Sequence, residues 1–83
     1  MRIRVESRLG PGGELMPYSI HLDGRAIAVA ETIDHWPGVD YAYVKVRGAD
    51  GNLYMLRHDE TRAEWELTMF QRDSVAAPRE IVN

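Results

Sequence analysis

The chain predicts an all-β fold: a small antiparallel meander of five to six strands that forms a barrel or a strongly curved sheet. Three observations predict it. Apolar and polar residues alternate in short runs, as around Val44 and Val46 and again around Tyr54 and Leu56. Turn signals such as Asp23-Gly24, Pro37-Gly38 and Asp50-Gly51 recur at the spacing of a meander. A single flat sheet would leave Trp65, Leu67, Tyr54, Val44, Ile20 and Ile27 wet, so the sheet has to curl over its own core.

The elements follow in order. Ile3 and Val5 alternate with Arg2, Arg4 and Glu6, which reads as a first strand. Gly10-Pro11-Gly12-Gly13 is the strongest break and reads as a loop between two strands. It is no phosphate loop, since it lacks a Gly-Lys-Ser/Thr ending and no helix follows. Pro17 suggests an edge position or the start of a strand. Tyr18 to Val29 reads as a hairpin around a two-residue type I′ turn at Asp23-Gly24. That register pairs Leu22 with Arg25, Ile20 with Ile27 and Tyr18 with Val29, and keeps the apolar residues on one face. Ala28 to His35 is ambiguous between more strand and one helical turn over Glu31–Asp34. Trp36 to Asp40 is a tight connection, because Pro37 and Gly38 both form turns.

Residues 41–70 are the most informative stretch. A two-residue loop at Asp50-Gly51 would turn Arg57 inward and Leu56 outward. A three-residue loop, Ala49-Asp50-Gly51, pairs Gly48 with Asn52 instead. Val46 then shares a face with Tyr54, and Val44 with Leu56. A one-residue slip would flip every side chain, so the apolar pattern selects the longer loop. After the polar turn Asp59-Glu60-Thr61-Arg62, Trp65, Leu67 and Met69 are expected to continue the inner face.

Eighty-three residues make one domain, assigned to residues 1–72, with a C-terminal tail over 73–83. There are no cysteines, so neither a disulfide framework nor a thiolate metal site is available. The first residues lack the apolar core of a signal peptide, and no apolar run approaches the roughly 20 residues of a membrane span. A cytoplasmic location is the expectation. The net charge of −3 argues against strong non-specific attraction to nucleic acid.

No motif carries a reaction. His21, His35 and His58 sit on different segments without metal-ligand spacing, and Ser7, Ser19 and Ser74 lack a nucleophile-elbow context. Neither a cofactor nor a metal is expected. Trp36 and Trp65 read as core anchors, with Trp36 plugging an open end of the barrel or, as the alternative, lining a ligand site there. Parity points Tyr41, Tyr43, Lys45 and Arg47 outward, joined by Leu53, Met55 and Arg57 and then by Glu64, Glu66, Thr68 and Phe70. Glu66 is placed to pair with Arg57. The candidate partner-binding residues are Tyr41, Tyr43, Lys45, Arg47, Met55 and Arg57. Their aromatic rings and cations suit stacked bases and phosphates, and the apolar neighbours suit a protein surface or a second copy of the chain.

Gly24-Arg25, Ile33-Asp34-His35-Trp36, Tyr43-Val44-Lys45-Val46, Asp50-Gly51, Tyr54-Met55-Leu56 and Trp65-Glu66-Leu67 form a recognisable series. Residues 24–67, about half the chain, thereby resemble a group of short bacterial β-domains of no assigned activity. Some members of that group are encoded near Y-family lesion-bypass DNA polymerases. The resemblance implies an accessory role in DNA maintenance and carries no catalytic residue over. The expected function is that of a non-enzymatic interaction module, binding protein or itself. The alternative is a weak single-stranded nucleic-acid binder.

Overall fold

The alternation of Ile3 with Val5, Val44 with Val46 and Tyr54 with Leu56 builds strands whose apolar faces meet inside a ring. The computed structural model describes residues 1–72, and the expected tail at 73–83 lies outside them. Six strands follow in chain order: β1 (Arg2–Leu9), β2 (Leu15–Leu22), β3 (Arg25–Trp36), β4 (Tyr41–Gly48), β5 (Leu53–Asp59) and β6 (Glu64–Gln71). Each pairs antiparallel with the next, and β1 returns to β6 to close a barrel. That closing seam is short: Arg2 pairs with Glu66 and Ile3 with Trp65.

The core is Ile20, Ile27, Val44, Val46, Tyr54, Leu56 and Trp65, all buried. Ile3, Val5, Leu15, Leu22, Val29 and Leu67 pack around it. Full burial of a side chain such as Leu56 stabilises the fold by roughly 1.5–3 kcal/mol relative to exposure.

The three-residue loop between β4 and β5 forms as expected. Val46 pairs with Tyr54 and Val44 with Leu56. The Gly48 amide donates to the Asn52 carbonyl at 2.9 Å. Gly51 takes φ 87°, a left-handed value that glycine adopts without steric cost. The Tyr54 hydroxyl crosses to the loop and donates to Asp50 Oδ2 at 2.5 Å. Burial together with this bond pushes the Tyr54 phenol up to about 12. At Asp50 burial acts upward, but the donors on Tyr54 and Asn52 outweigh it and hold the carboxyl below its usual value. Gly48 sits at the close approach of this corner, where an added Cβ would meet Ile27 Cγ2 at 2.9 Å and Tyr54 Cε1 at 3.0 Å.

The Asp23-Gly24 turn also forms as expected, with φ of 53° and 76° and Leu22 opposite Arg25. Ala28–His35 resolves as strand, since β3 runs unbroken to Trp36.

Three expectations fail, and in two of them an extra residue in a ladder is the reason. Glu6 pairs with Ser19 but Ser7 pairs with Pro17, so Tyr18 is the bulged residue. The strand changes phase there. Pro17 turns inward and is buried mid-strand, where its missing N–H is tolerated at a bulge. Tyr18 leaves the apolar face and lies under the Arg8 guanidinium, 4.5 Å from ring centroid to Cζ. In β6, Met69 pairs with Met55 and Leu67 with Leu56, so Thr68 is the extra residue. Met69 therefore faces outward rather than inward, and Phe70 falls opposite Tyr54 rather than outside. Its ring meets Tyr54 edge-on at 5.3 Å. Trp36, finally, is no core plug. It pairs with Tyr43 on the outer face and is 44% exposed. Two bulges, at Ala30 and Ile33, shift β3 by two residues against β4; their phase changes cancel, so Trp36 keeps the outward side that alternation from Ile27 gives it and falls opposite Tyr43.

Candidate functional site

The outer face of β3 to β6 is built by cross-strand pairs, because directly opposed residues point to the same side. Trp36, Tyr43, Arg57 and Glu66 stand in one row across four strands, and Arg2 of β1 extends it. The next row is Asp34, Lys45, Met55 and Met69. Beyond it lie Glu31, Arg47, Leu53 and Gln71. Tyr41, Asp59 and Glu64 form the row on the other side. The register thus brings the sequence-derived set Tyr41, Tyr43, Lys45, Arg47, Met55 and Arg57 onto one surface. Trp36 and Met69 join it, and Phe70 leaves it.

Its electrostatics differ from those of a bare basic stripe. The Arg57 guanidinium hydrogen-bonds Glu66, as the sequence led one to expect, and stacks over the Tyr41 ring at 4.6 Å. The bond to Glu66, helped by Tyr43, raises the Arg57 pKa further. Arg47 Nε lies 3.8 Å from Glu31, and its Nη1 donates to the Gly51 carbonyl at 3.1 Å. Lys45 stands opposite Asp34. A carboxylate therefore answers each arginine of this face, Glu66 at Arg57 and Glu31 at Arg47. Between them, Tyr41, Trp36 and Met69 are exposed, and Tyr43, Leu53 and Met55 are half-buried.

A second feature lies at the barrel end that carries the β1–β2, β3–β4 and β5–β6 connections. Glu14, His35, His58 and Glu60 surround a cavity of about 130 Å³ there. Leu15, Pro37, Val44 and Trp65 supply apolar wall. His58 continues the inward phase of Tyr54 and Leu56 and is buried. Its imidazole packs on the Trp65 indole with centroids 4.6 Å apart and planes at 49°. Its Nδ1 is sealed from solvent without a hydrogen-bond partner, and the nearest carboxylate oxygen, on Glu60, is 3.4 Å away. The β5–β6 turn carries Glu60 here: Asp59 Oδ1 accepts from the amides of Thr61 and Arg62 at 3.0 and 3.1 Å. Among the described residues no group of three or more His, Asp or Glu side chains converges to hold a metal. Sequence reasoning missed this cavity. The one available signal was that His58 shares the inward parity of Tyr54 and Leu56.

Comparison with protein-family models, with curated proteins and with solved structures returned no match. Among the described residues no helix is long and apolar enough to cross a membrane.

Proposed function

We propose that the chain is a non-enzymatic interaction module whose contact surface is the outer face of β4 and β5, and that a second copy of the chain is its partner. The observation that carries this reading is the combination on that face: exposed Trp36, Tyr41 and Met69 lie beside Tyr43 and Met55, and the two arginines between them are matched by carboxylates. Patches of this kind mark interfaces, and aromatic, Met and Arg side chains are enriched in interface cores. Acidic residues on β3 and basic residues on β4 suit a self-complementary contact, in which each patch meets its own image. A polyanion would have to displace Glu66 and Glu31 from their arginines, which disfavours the nucleic-acid alternative.

The test is sedimentation equilibrium from micromolar to millimolar chain, with Tyr43→Ala and Met55→Glu as variants. Concentration-dependent association that either variant abolishes, with unchanged far-ultraviolet circular dichroism, is the expected result. A monomer throughout would overturn the proposal. A salt-sensitive shift on adding a single-stranded oligonucleotide would replace it with the nucleic-acid reading.

A further inference from the structure

The cavity at the barrel mouth has three properties that together select a ligand chemistry. Its size comes first. About 130 Å³ is close to the volume of an apolar cavity that takes up one benzene ring, and well below the roughly 300 Å³ at which drug-sized sites begin. One planar group fits. Charge is the second. Glu14 and Glu60 line the space and neither Lys nor Arg does, so an anion is repelled and a cation attracted. The third is a buried polar group waiting for a partner. The His58 side chain is only 9% exposed, and its Nδ1 has no hydrogen bond, the Glu60 carboxylate standing 3.4 Å from it. Buried polar atoms in native structures are overwhelmingly paired, so an orphan beside a cavity points to an occupant.

The walls add shape. The Trp65 and His58 rings, packed against each other, line it with aromatic wall. Glu60 is a half-exposed carboxylate at the rim that can take two parallel N–H bonds. Glu14 Oε1 accepts the Gly12 amide at 3.0 Å, which ties that carboxylate to the β1–β2 loop.

We propose that the barrel mouth binds a guanidinium or an equally planar N–H-bearing cation, either free or at the end of an arginine side chain. Flat apolar faces would lie against Trp65, Val44 and Leu15, and edge N–H groups would reach Glu60 and the His58 corner. This inference does not depend on the outer-face reading, because it uses none of the residues assigned there.

The experiment is an NMR titration of the full chain in the Trp36→Phe background, so that the remaining indole N–H signal belongs to Trp65. Methylguanidinium, a Gly-Arg-Gly peptide amide and acetate are added separately. A saturable shift of the Trp65 indole with methylguanidinium, none with acetate, and affinity about tenfold lower in Glu60→Gln are expected. Glu14→Gln serves as a second variant if Glu60→Gln loses spectral dispersion. Tighter binding of the peptide than of methylguanidinium assigns the site to an arginine side chain, and equal or weaker binding assigns it to a free compound. Absence of a saturable shift, equal binding of acetate, or undiminished affinity in the folded carboxamide variants overturns the proposal and leaves a water-filled recess.

Discussion

The β4–β5 hairpin and the second half of β3 belong to one sheet and share a ladder, yet they are opposite in character. Along β4 and β5 seven pairs run without a bulge, and Val44, Val46, Gly48, Tyr54, Leu56 and His58 are buried in alternation. From Ala30 to Trp36 every residue of β3 is exposed, and two bulges interrupt the pairing with β4. Composition is not the cause, since both stretches carry β-branched and aromatic residues. The difference is in the neighbours. β4 and β5 have a paired strand on both sides. The β2–β3 ladder ends at Ser19 and Ala28, so beyond that point β3 has a ladder only on its β4 side. A strand is buried by what lies across it as much as by its own sequence.

Substitutions should sharpen that contrast. Leu56→Ala removes a fully buried side chain at the centre of the hairpin. A loss of about 2–5 kcal/mol is expected in urea unfolding, because the site empties among packed neighbours. Alkaline pH comes next. The Tyr54 phenol is pushed up to about 12 from 10.0, so the neutral form is favoured by folding. Its contribution is fully present below pH 10 and is lost as pH rises through 12, by at most roughly 2–3 kcal/mol. Tyr54→Phe should flatten that part of the stability profile, and an unchanged slope would show that the phenol is not responsible. Gly48→Ala puts a methyl against Ile27 and Tyr54 at 2.9 and 3.0 Å. A cost of about 1–3 kcal/mol is expected by chemical denaturation. At the other extreme, Ile33→Ala, at a bulged position 39% exposed, should change stability by about 0.5 kcal/mol or less. A larger loss would mean that the far half of β3 is packed more firmly than its exposure implies.

The hairpin was legible in the residues because two independent signals agreed. Val44, Val46, Tyr54 and Leu56 demanded one face, and Gly51 allowed the turn that delivers it. The same holds for Asp23-Gly24. Bulges were not legible, since Tyr18, Ala30, Ile33 and Thr68 carry no shared chemical mark. Each flips the phase of the strand beyond it, which is why simple parity misplaces Pro17, Tyr18, Met69 and Phe70, while in β3 two flips cancel and Trp36 stays on the outer side. The outer face was largely readable, because parity alone groups Tyr41, Tyr43, Lys45, Arg47, Met55 and Arg57. The mouth was not, because Glu14, His35, His58 and Glu60 come from separate elements that only closure of the barrel brings together.

That closure has a consequence for the order of assembly. Every other ladder joins strands adjacent in sequence, whose connections are short and inexpensive to fold. The β1–β6 seam instead joins Arg2 to Glu66 and Ile3 to Trp65, with nearly the whole domain as its loop. Two residue pairs are little recompense for ordering so long a loop, so the seam should form only after the five hairpins have brought its edges together. During native-state fluctuations the first strand should then part from the sixth well before the β4–β5 hairpin yields, turning the ring for a moment into a curved ribbon.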